Sequence, residues 1–314
     1  MPKISVIIVN WRSKDFVRKC LLSLASSRAA LDIEIIVVDG GSFDGCDEML
    51  AKEFPDVIFC QTGANVGFGA ANNHGASRAT GEYVWLLNPD TEVNGEAANL
   101  LLDALQSPRC VGMVGAKLLN SDGSIQTSCV QSLPTALNQA FDSELLRRNF
   151  GLWGMAALDS QSEPVAVEAI SGACMMIRRS DFSLVGQFDP RYFMYAEDMD
   201  LCCKIRRQGL CILYVPEAQV VHHGGGSSQK QPSEFTVMQM RESVFVYLKA
   251  NHGILHAWFY RLCMGASSVC RIAVISVIRL IPRRNSDSLV GSIQKWKTTL
   301  NWCLKPSAGT NLRP

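Results

Sequence analysis

A chain of 314 residues is long enough for one large α/β domain with a tail, or for two modest domains. Its hydrophobic fraction of 47% and charged fraction of 19% are typical of a globular protein with a sizeable core, and they exclude a disordered chain. The net charge of +1 lacks the basic field of a nucleic-acid-binding protein, so no nucleic-acid partner is expected.

The cysteines and the N-terminus indicate the compartment. The twelve cysteines include no C-x-x-C pair, and they are scattered through apolar segments. The first residues read as a strand and lack the cleavage site of a signal peptide. We therefore expect reduced thiols in a cytoplasmic protein rather than disulfides or a structural zinc site.

The first half of the chain alternates strand and helix patterns. Strands are predicted at residues 4–9, 33–38, 57–59 and 83–87, with helices at 15–24, 45–54 and 67–80. This alternation predicts right-handed crossovers and a mostly parallel sheet, in which ligands bind beyond the carboxyl ends of the strands. Asn10, Asp39 and Asp90 follow three of these strands, so we expect them to converge on one crevice.

The second half has a more mixed pattern. Strands are predicted at residues 113–118, 174–177 and 211–215, and a helix at 196–209. Residues 127–165 are irregular and are expected to carry substrate loops.

The C-terminal tail has a different composition. Residues 234–248 are helical in pattern, and residues 254–281 are strongly apolar but contain Arg261, Arg271 and Arg279 and end in Arg283-Arg284. Because a central arginine is costly in a bilayer, the pattern favours helices lying on an anionic membrane surface. Packing of the tail on the catalytic domain and a membrane span or re-entrant segment remain the alternatives.

Two acidic clusters are the main candidates for chemistry. Asn88-Pro89-Asp90 ends a buried strand, where a carboxylate can hold Mg²⁺ or Mn²⁺ beside substrate phosphates; the alternative is an ordinary turn. Glu197, Asp198 and Asp200 begin a helix, where Asp198 is a candidate general base. The alternative for this cluster is that the carboxylates only cap the helix and favour its dipole.

A histidine pair follows the last predicted strand. His222 is a candidate metal ligand, and His223 points the other way if the segment is extended. The alternative is that His222 is an ordinary core or surface histidine.

Other enzyme classes are disfavoured by their missing motifs. The glycine-rich residues 63–73 match neither a phosphate-cradling P-loop nor a dinucleotide fingerprint, and no serine nucleophile elbow is present.

The motifs, taken in order, resemble glycosyltransferase family 2, which has the GT-A fold. They are V-I-I-V-N-W at residues 6–11, V-V-D-G-G-S-F-D-G at 37–45, N-V-G-F-G at 65–69, L-N-P-D at 87–90, Glu197-Asp198, and His222. The resemblance runs from residue 5 to about residue 228. It implies an α/β fold of GT-A type: a Rossmann-like, mostly parallel central sheet flanked by helices, with a C-terminal helical tail.

The resemblance also implies a role for each motif. The nucleotide-sugar is expected to contact Val9, Asn10, Asp39, Asn65, Gly67, Asn88 and Asp90. Asp90 and His222 are the expected ligands of Mg²⁺ or Mn²⁺, because an amide replaces the first carboxylate of the family's D-x-D motif at Asn88. Asp198 matches the catalytic base, with Glu197 and Asp200 supporting the base or the acceptor.

The implied activity is inverting, metal-dependent sugar transfer in cell-surface polysaccharide synthesis. The motif forms look most like bacterial rhamnosyltransferases, which points to dTDP-rhamnose, with UDP- and GDP-sugars as alternatives. The acceptor is expected to be a glycan or a polyprenyl-diphosphate-linked sugar, handled at the inner face of the cell membrane. Residues 1–230 would form the catalytic domain, with a nucleotide-sugar half (1–118) and an acceptor half (119–230), and residues 231–314 the tail.

Two other classes stay open on the sequence alone. A nucleotidyltransferase would share the acidic crevice, but it should carry a basic glycine-rich loop near the N-terminus. A non-catalytic sugar-binding protein is the second, although Asp90 and Asp198 are both retained.

Overall fold

The chain forms two compact units. The computed structural model describes residues 3–107, 110–141, 161–224, 233–279 and 287–305. The first unit comprises Met1–Leu133, Met155–Pro190 and Glu197–Gly225, and the remaining segments form the second. The boundary predicted at residue 230 lies outside the described residues, so the division into residues 1–230 and 231–314 stays a prediction.

The elements follow in chain order. The strands are β1 Ile4–Asn10, β2 Ile33–Asp39, β3 Ile58–Gln61, β4 Tyr83–Leu87, β5 Thr91–Val93, β6 Val111–Leu119, β7 Val130–Gln131, β8 Val165–Val167, β9 Ala169–Ile170, β10 Cys174–Arg178 and β11 Cys211–His222. The helices are α1 Lys14–Ser23, α2 Ala25–Ala30, α3 Cys46–Glu53, α4 Phe68–Ala76, α5 Ala97–Gln106, α6 Ala136–Ala140, α7 Arg179–Leu184, α8 Glu197–Arg207, α9 Glu234–His252, α10 Ile254–Ile278 and α11 Asp287–Leu304.

The first unit is built on a central sheet with the order β3-β2-β1-β4-β10-β6-β11-β5, and β8 pairs with β11. The first four strands in this order are parallel, as the alternating pattern predicts. Beyond β4 the sheet becomes mixed, because β10 runs antiparallel to both of its neighbours. Asn10 and Asp39 are register partners at the carboxyl ends of β1 and β2.

Both faces of the sheet are covered, which explains the β-branched composition of its strands. On β1, Ile4, Val6 and Ile8 pack into the core on one face, and Ile7 and Val9 pack into the core on the other. The small residues of α4 allow a close approach on this second face. A Cβ added at Gly75 would lie 2.6 Å from Cγ2 of Ile7, so a larger side chain would push the helix off the strand.

Two elements near the acidic turn are absent from the sequence prediction. Strand β5 follows the turn directly and pairs antiparallel with the end of β11, and helix α5 comes next. Strand β11 is also longer than predicted, because it continues past a register shift between Val215 and Gln219 to His222. The irregular region predicted at 127–165 includes β7 and α6, and residues 142–160 lie outside the described residues.

The second unit is helical and contains α6, α9, α10 and α11. Helix α10 packs against the other three. Within the described residues, α10 is long and apolar enough to cross a membrane on length and composition alone. Arg261 on α10 is buried and donates hydrogen bonds to the backbone carbonyls of Trp302, Cys303 and Lys305. Arg283 and Arg284 lie outside the described residues.

All twelve cysteines are free in this structure.

Candidate active site

The ends of β1 and β2 form a polar cluster. The side-chain amide of Asn10 donates to Asp39 Oδ1 at 2.8 Å and to Ser42 Oγ at 3.0 Å. The backbone N–H groups of Gly41 and Ser42 donate to Asp39 Oδ2 at 3.1 and 3.0 Å. Two predicted nucleotide contacts, Asn10 and Asp39, are therefore in direct contact, and both are buried.

Hydrogen bonds keep the Asp39 carboxylate charged. Burial alone would raise its pKa, but the side chains of Ser42, Gln61 and Asn10 donate to it and hold the pKa below its ordinary value. A fixed anionic acceptor at a strand end can receive hydrogen bonds from an N–H or O–H group of a ligand.

The glycine-rich segment forms the start of α4. Asn65 Oδ1 accepts a hydrogen bond from the N–H of Gly67 at 3.1 Å. Gly67 has a φ of 88°, a positive angle that glycine adopts without steric cost. A Cβ added at Gly69 would lie 2.9 Å from the Cβ of Phe188 and 3.8 Å from that of Glu197. Small residues at this helix start thus allow the acidic pair to approach it.

The acidic turn lies beside His222. Antiparallel pairing of β5 with β11 puts His222 opposite Thr91, and the N–H of His223 donates to the carbonyl of Asp90 at 2.9 Å. His222 Nε2 consequently lies 3.3 Å from Asp90 Oδ1 and 3.2 Å from the amide nitrogen of Asn88. Three paired residues of β5 and β11 thus bring together His222 and Asp90, which are about 130 positions apart in the chain.

Gln126 orients the His222 ring through two hydrogen bonds. His222 Nδ1 lies 2.8 Å from Gln126 Oε1, and Gln126 Nε2 donates to the His222 carbonyl at 2.6 Å. Because the amide oxygen can only accept, Nδ1 carries a proton, and Nε2 is the ring nitrogen that lies beside Asp90.

His223 has different partners. Its Nε2 lies 2.7 Å from Glu92 Oε1, its Nδ1 lies 2.8 Å from Ser121 Oγ, and its ring lies 5.8 Å from that of Phe16. His223 thus contacts Glu92 rather than Asp90, and His222 is the histidine that lies beside the acidic turn.

The donor set suits a hard divalent cation that shares its ligands with a substrate. A carboxylate oxygen and an imidazole nitrogen 3.3 Å apart can bind one ion together. Among the described residues, no group of three or more His, Cys, Asp or Glu side chains could hold a metal by itself. Mg²⁺ and Mn²⁺ often take most of their ligands from water and phosphate, so two protein ligands fit such a site.

The second acidic cluster lies at the start of α8, where Glu197 is buried and Asp198 is half-buried. Asp198 accepts hydrogen bonds from the N–H groups of Gly172 at 3.1 Å and Met199 at 2.8 Å. Burial nevertheless raises its pKa, against the effect of these donors. Burial and the neighbouring Asp198 raise the pKa of Glu197 to about 8, and Glu197 Oε2 has no hydrogen-bond partner in the described part of the chain. Near neutral pH, Glu197 therefore holds a proton while Asp198 is the better site for negative charge.

The backbone before this pair adopts a rare conformation. Tyr195 and Ala196 have φ values of 70° and 62°, in the left-handed region that costs a non-glycine residue on the order of 1–3 kcal/mol. Asp200, the third acid of the cluster, is buried and lies 3.1 Å from Lys204 Nζ. Its partner is thus one helical turn further along α8.

One short segment links the two acidic clusters. The N–H of Gly172 donates to Asp198, and the carbonyl of the next residue, Ala173, accepts from the N–H of Asn88 at 3.0 Å. The acidic turn and the Glu197-Asp198 pair therefore border the same loop. A Cβ at Gly172 would lie 3.3 Å from that of Asp198, so this contact requires glycine or a shift of the loop.

The residues that orient the candidate groups carry no motif in the sequence. Gln126 holds His222, and the side chain of Gln131 on β7 hydrogen-bonds Asp198. Neither glutamine lies in a motif, and both act through long-range pairing, so no local pattern could identify them. The roles of the predicted site residues stay predictions.

Comparisons with known proteins agree with this architecture. The family described as "Glycosyl transferase family 2" matches residues 5–185. An N-acetylglucosaminyl-diphospho-decaprenol L-rhamnosyltransferase of Mycobacterium tuberculosis is 31% identical over 247 residues, covering 74% of this chain and 78% of that protein. The rhamnosyltransferase WbbL of Escherichia coli is 27% identical, covering 69% of this chain and 82% of that protein.

Solved structures show the same fold at low identity. The mannosyltransferase PcManGT from Pyrobaculum calidifontis, in complex with GDP-Man and Mn²⁺, has a TM-score of 0.58 and 17% identity, covering 96% of this chain and 86% of its own. GalNAc-T7 with UDP, GalNAc and Mn²⁺ has a TM-score of 0.55 and 18% identity, covering 96% of this chain and 56% of its own. Both are GT-A glycosyltransferases, and the predicted fold class is confirmed. The chain belongs to glycosyltransferase family 2 and is a glycosyltransferase with a GT-A fold.

Proposed function

We propose that the protein transfers L-rhamnose from dTDP-rhamnose to a hydroxyl group of a polyprenyl-diphosphate-linked sugar, with inversion at the anomeric carbon. The observation that carries the proposal is the loop at Gly172 and Ala173, which borders a candidate base on one side and a candidate diphosphate site on the other. The choice of rhamnose and of a lipid-linked acceptor is supported by the names of the mycobacterial and E. coli relatives.

The nucleotide would bind at the polar cluster of β1 and β2. Asp39 and Asn10 would contact the nucleoside, and Asn65 and Gly67 would border the sugar. Asn88 would contact the ribose or the sugar. This arrangement uses the fixed, charged Asp39 carboxylate as an acceptor for a donor group on the base.

Asp90 and His222 would hold Mg²⁺ or Mn²⁺. A divalent cation bound there would supply charge neutralisation for the leaving diphosphate. Gln126 would keep the His222 Nε2 lone pair available for this purpose.

Asp198 would act as the general base. It would take the proton of the acceptor hydroxyl as that oxygen attacks the anomeric carbon from the face opposite the diphosphate. The bond from carbon to the diphosphate oxygen would break, and its electron pair would leave with dTDP. Glu197, protonated near neutral pH, would carry no charge of its own, so that Asp198 is the ionised group of the pair.

The acceptor lipid would bring the reaction to the inner face of the cell membrane. A cytoplasmic enzyme peripherally attached there would have soluble nucleotide-sugar on one side and the lipid carrier on the other.

A donor panel tests the proposal. Purified full-length protein would be given dTDP-rhamnose, UDP-glucose, UDP-N-acetylglucosamine and GDP-mannose, each with Mn²⁺ and a polyprenyl-diphosphate-linked N-acetylglucosamine acceptor. We expect dTDP release and a rhamnosylated product of inverted anomeric configuration, both abolished by EDTA. Transfer from a UDP- or GDP-sugar alone would overturn the rhamnose assignment, transfer in EDTA would overturn the metal, and release of pyrophosphate would indicate a nucleotidyltransferase.

A further inference from the structure

Helix α10 has an exposed face with no charged residue. Its exposed large side chains recur at helical spacing and are apolar, among them Leu255, Trp258, Phe259, Leu262, Val269 and Val277. Leu255 and Leu262 are 80% and 70% exposed. At a rise of 1.5 Å per residue, the 25 residues of α10 extend this face over about 37 Å. An uncharged apolar face of this length typically marks a binding surface.

The two arginines of α10 have partners inside the second unit. Arg261 is buried, contacts backbone carbonyls at the end of α11, and its guanidinium lies 4.7 Å from the centroid of the Trp302 ring. Arg271 donates to Ser267 Oγ at 3.1 Å, and its guanidinium lies 4.5 Å from the Trp296 ring centroid. Because both charges have partners within the second unit, the exposed face can enter an apolar medium without carrying a charge with it.

The charge of the chain is strongly divided. Residues 243–314 contain ten Lys and Arg residues and a single acidic residue, Asp287, whereas residues 1–242 contain 20 basic and 28 acidic residues. Helix α10 thus belongs to a segment with a net charge of +9. A second copy docking through this face would bring two such segments together and would be repelled. An anionic lipid surface would attract the same segment.

The packing of α10 favours a helix on the surface over a helix across the membrane. Ala257, Tyr260 and Met264 are buried on the opposite side of the helix, which packs against α9 and α11. A spanning α10 would have to leave these neighbours and would take Arg261 into the hydrocarbon. Lying along the interface keeps both contacts and buries only the exposed apolar side.

We propose that the exposed face of α10 docks the protein on an anionic lipid bilayer surface, with the helix lying in the interfacial plane. This proposal deepens the proposed function. The purpose of docking rests on that function, because the surface would keep the enzyme at the membrane that holds a lipid-linked acceptor. Trp258 and Phe259 would enter the interface, and surrounding basic residues would contact lipid phosphates.

Vesicle flotation of the full-length protein tests the docking without any substrate. The vesicles would be phosphatidylglycerol with phosphatidylethanolamine, or phosphatidylcholine alone. The test variant is the double substitution Leu262→Glu with Val269→Glu. The matched control is the double substitution Leu22→Glu with Leu184→Glu, which adds the same two acids at exposed positions of α1 and α7 in the first unit. We expect the wild type and the control to float with anionic vesicles, and the double variant to bind at least about tenfold more weakly. Binding should fall with added salt and with phosphatidylcholine vesicles.

Three results would overturn the docking proposal. The double variant could bind as well as the wild type while its circular dichroism and thermal unfolding match those of the control. The wild type could fail to bind anionic vesicles and instead form a dimer that the double substitution dissociates, which would identify a second copy as the occupant. Release from vesicles by detergent alone, and not by high salt or carbonate, would identify a spanning helix. Sugar transfer to a water-soluble acceptor, measured in parallel, is independent of these results, so docking and the proposed activity can fail separately.

Discussion

The two acidic clusters of the first unit use the same residue type in different environments. Asp90 is buried at a turn, beside an imidazole nitrogen and a side-chain amide. Asp198 is half-buried, accepts hydrogen bonds from two backbone N–H groups, and has the carboxyl group of buried Glu197 next to it. The loop at Gly172 and Ala173 connects the two clusters by one hydrogen bond on each side.

The difference indicates a division of chemical labour. A carboxylate beside an imidazole is suited to bind a cation together with it. A carboxylate with a raised pKa, such as Asp198, is suited to accept a proton, because its basicity moves toward the working pH. Substitutions around Asp90 should therefore change cation binding, and substitutions around Asp198 should change proton transfer.

Removal of the base should have the largest effect. Asp198→Asn keeps the side-chain shape but cannot accept the acceptor's proton, so kcat should fall by about 10²–10⁴-fold. Binding of dTDP and Mn²⁺, measured by calorimetry, should change little. Asp103→Asn on the exposed side of α5 is the matched control and should keep wild-type kcat. Full transfer activity in the Asp198→Asn variant would show that another group is the base.

The buried proton on Glu197 should appear in the pH dependence of stability. Its pKa rises from 4.5 to about 8 in the folded protein, so the native state binds this proton more tightly than the unfolded state. The stabilisation by that proton is complete below pH 4.5 and is lost as pH rises toward about 8. At about 1.4 kcal/mol for each pH unit, the upper bound on the loss is about 5 kcal/mol.

Glu197→Gln should remove this dependence, because the amide stays neutral. Denaturant unfolding of both proteins at several values between pH 4.5 and 8 would measure the difference. Glu48→Gln, at an exposed position of α3, controls for the loss of one negative charge elsewhere. Parallel stability curves for the wild type and Glu197→Gln would contradict a protonated Glu197 in the native state.

The sequence predicted the parallel half of the sheet well because each strand there is mostly apolar and ends at or just before a polar residue. Asn10 and Asp39 could be paired in advance for that reason, since parallel neighbours end at the same edge. Strand β5 was not predicted because its three residues have no hydrophobic pattern of their own. They form a strand through their pairing with β11. That pairing is also what brings His222 to Asp90.

Separate substitutions of His222 and His223 test which of the two adjacent histidines binds the metal. His222→Ala should weaken Mn²⁺ binding in the presence of dTDP by about 10–100-fold, because one of the two proposed protein ligands is lost. Electron paramagnetic resonance of free Mn²⁺ would measure the affinity. His223→Ala is the matched control, since its ring contacts Glu92 and Ser121, and it should leave Mn²⁺ affinity within about twofold of the wild type. The reverse order of effects would assign the metal to His223.

Orienting residues could not be read from the sequence at all. The sequence marks Asp198 and His222 by their motifs, but Gln126 and Gln131 lie in or beside a segment with no periodicity. Similarly, the positive φ values at Tyr195 and Ala196 have no local signal, because neither residue is one that favours the left-handed region. The packing around such positions decides their conformation, and only the folded chain contains that information.

The two glutamines provide the finest test, because each contacts only one of the two compared groups in the interactions described above. Gln126→Ala removes the acceptor of the His222 Nδ1 proton and the donor to the His222 carbonyl. The ring is then free to rotate or change tautomer, and Mn²⁺ affinity should fall by about tenfold. Gln131→Ala removes a hydrogen bond that lowers the pKa of Asp198, so the acid limb of the pH–kcat profile should move to higher pH while Mn²⁺ affinity stays unchanged. Equal losses of Mn²⁺ affinity in both variants would mean that the loop at Gly172 and Ala173 couples the clusters into one site, and the division of labour between them would not hold.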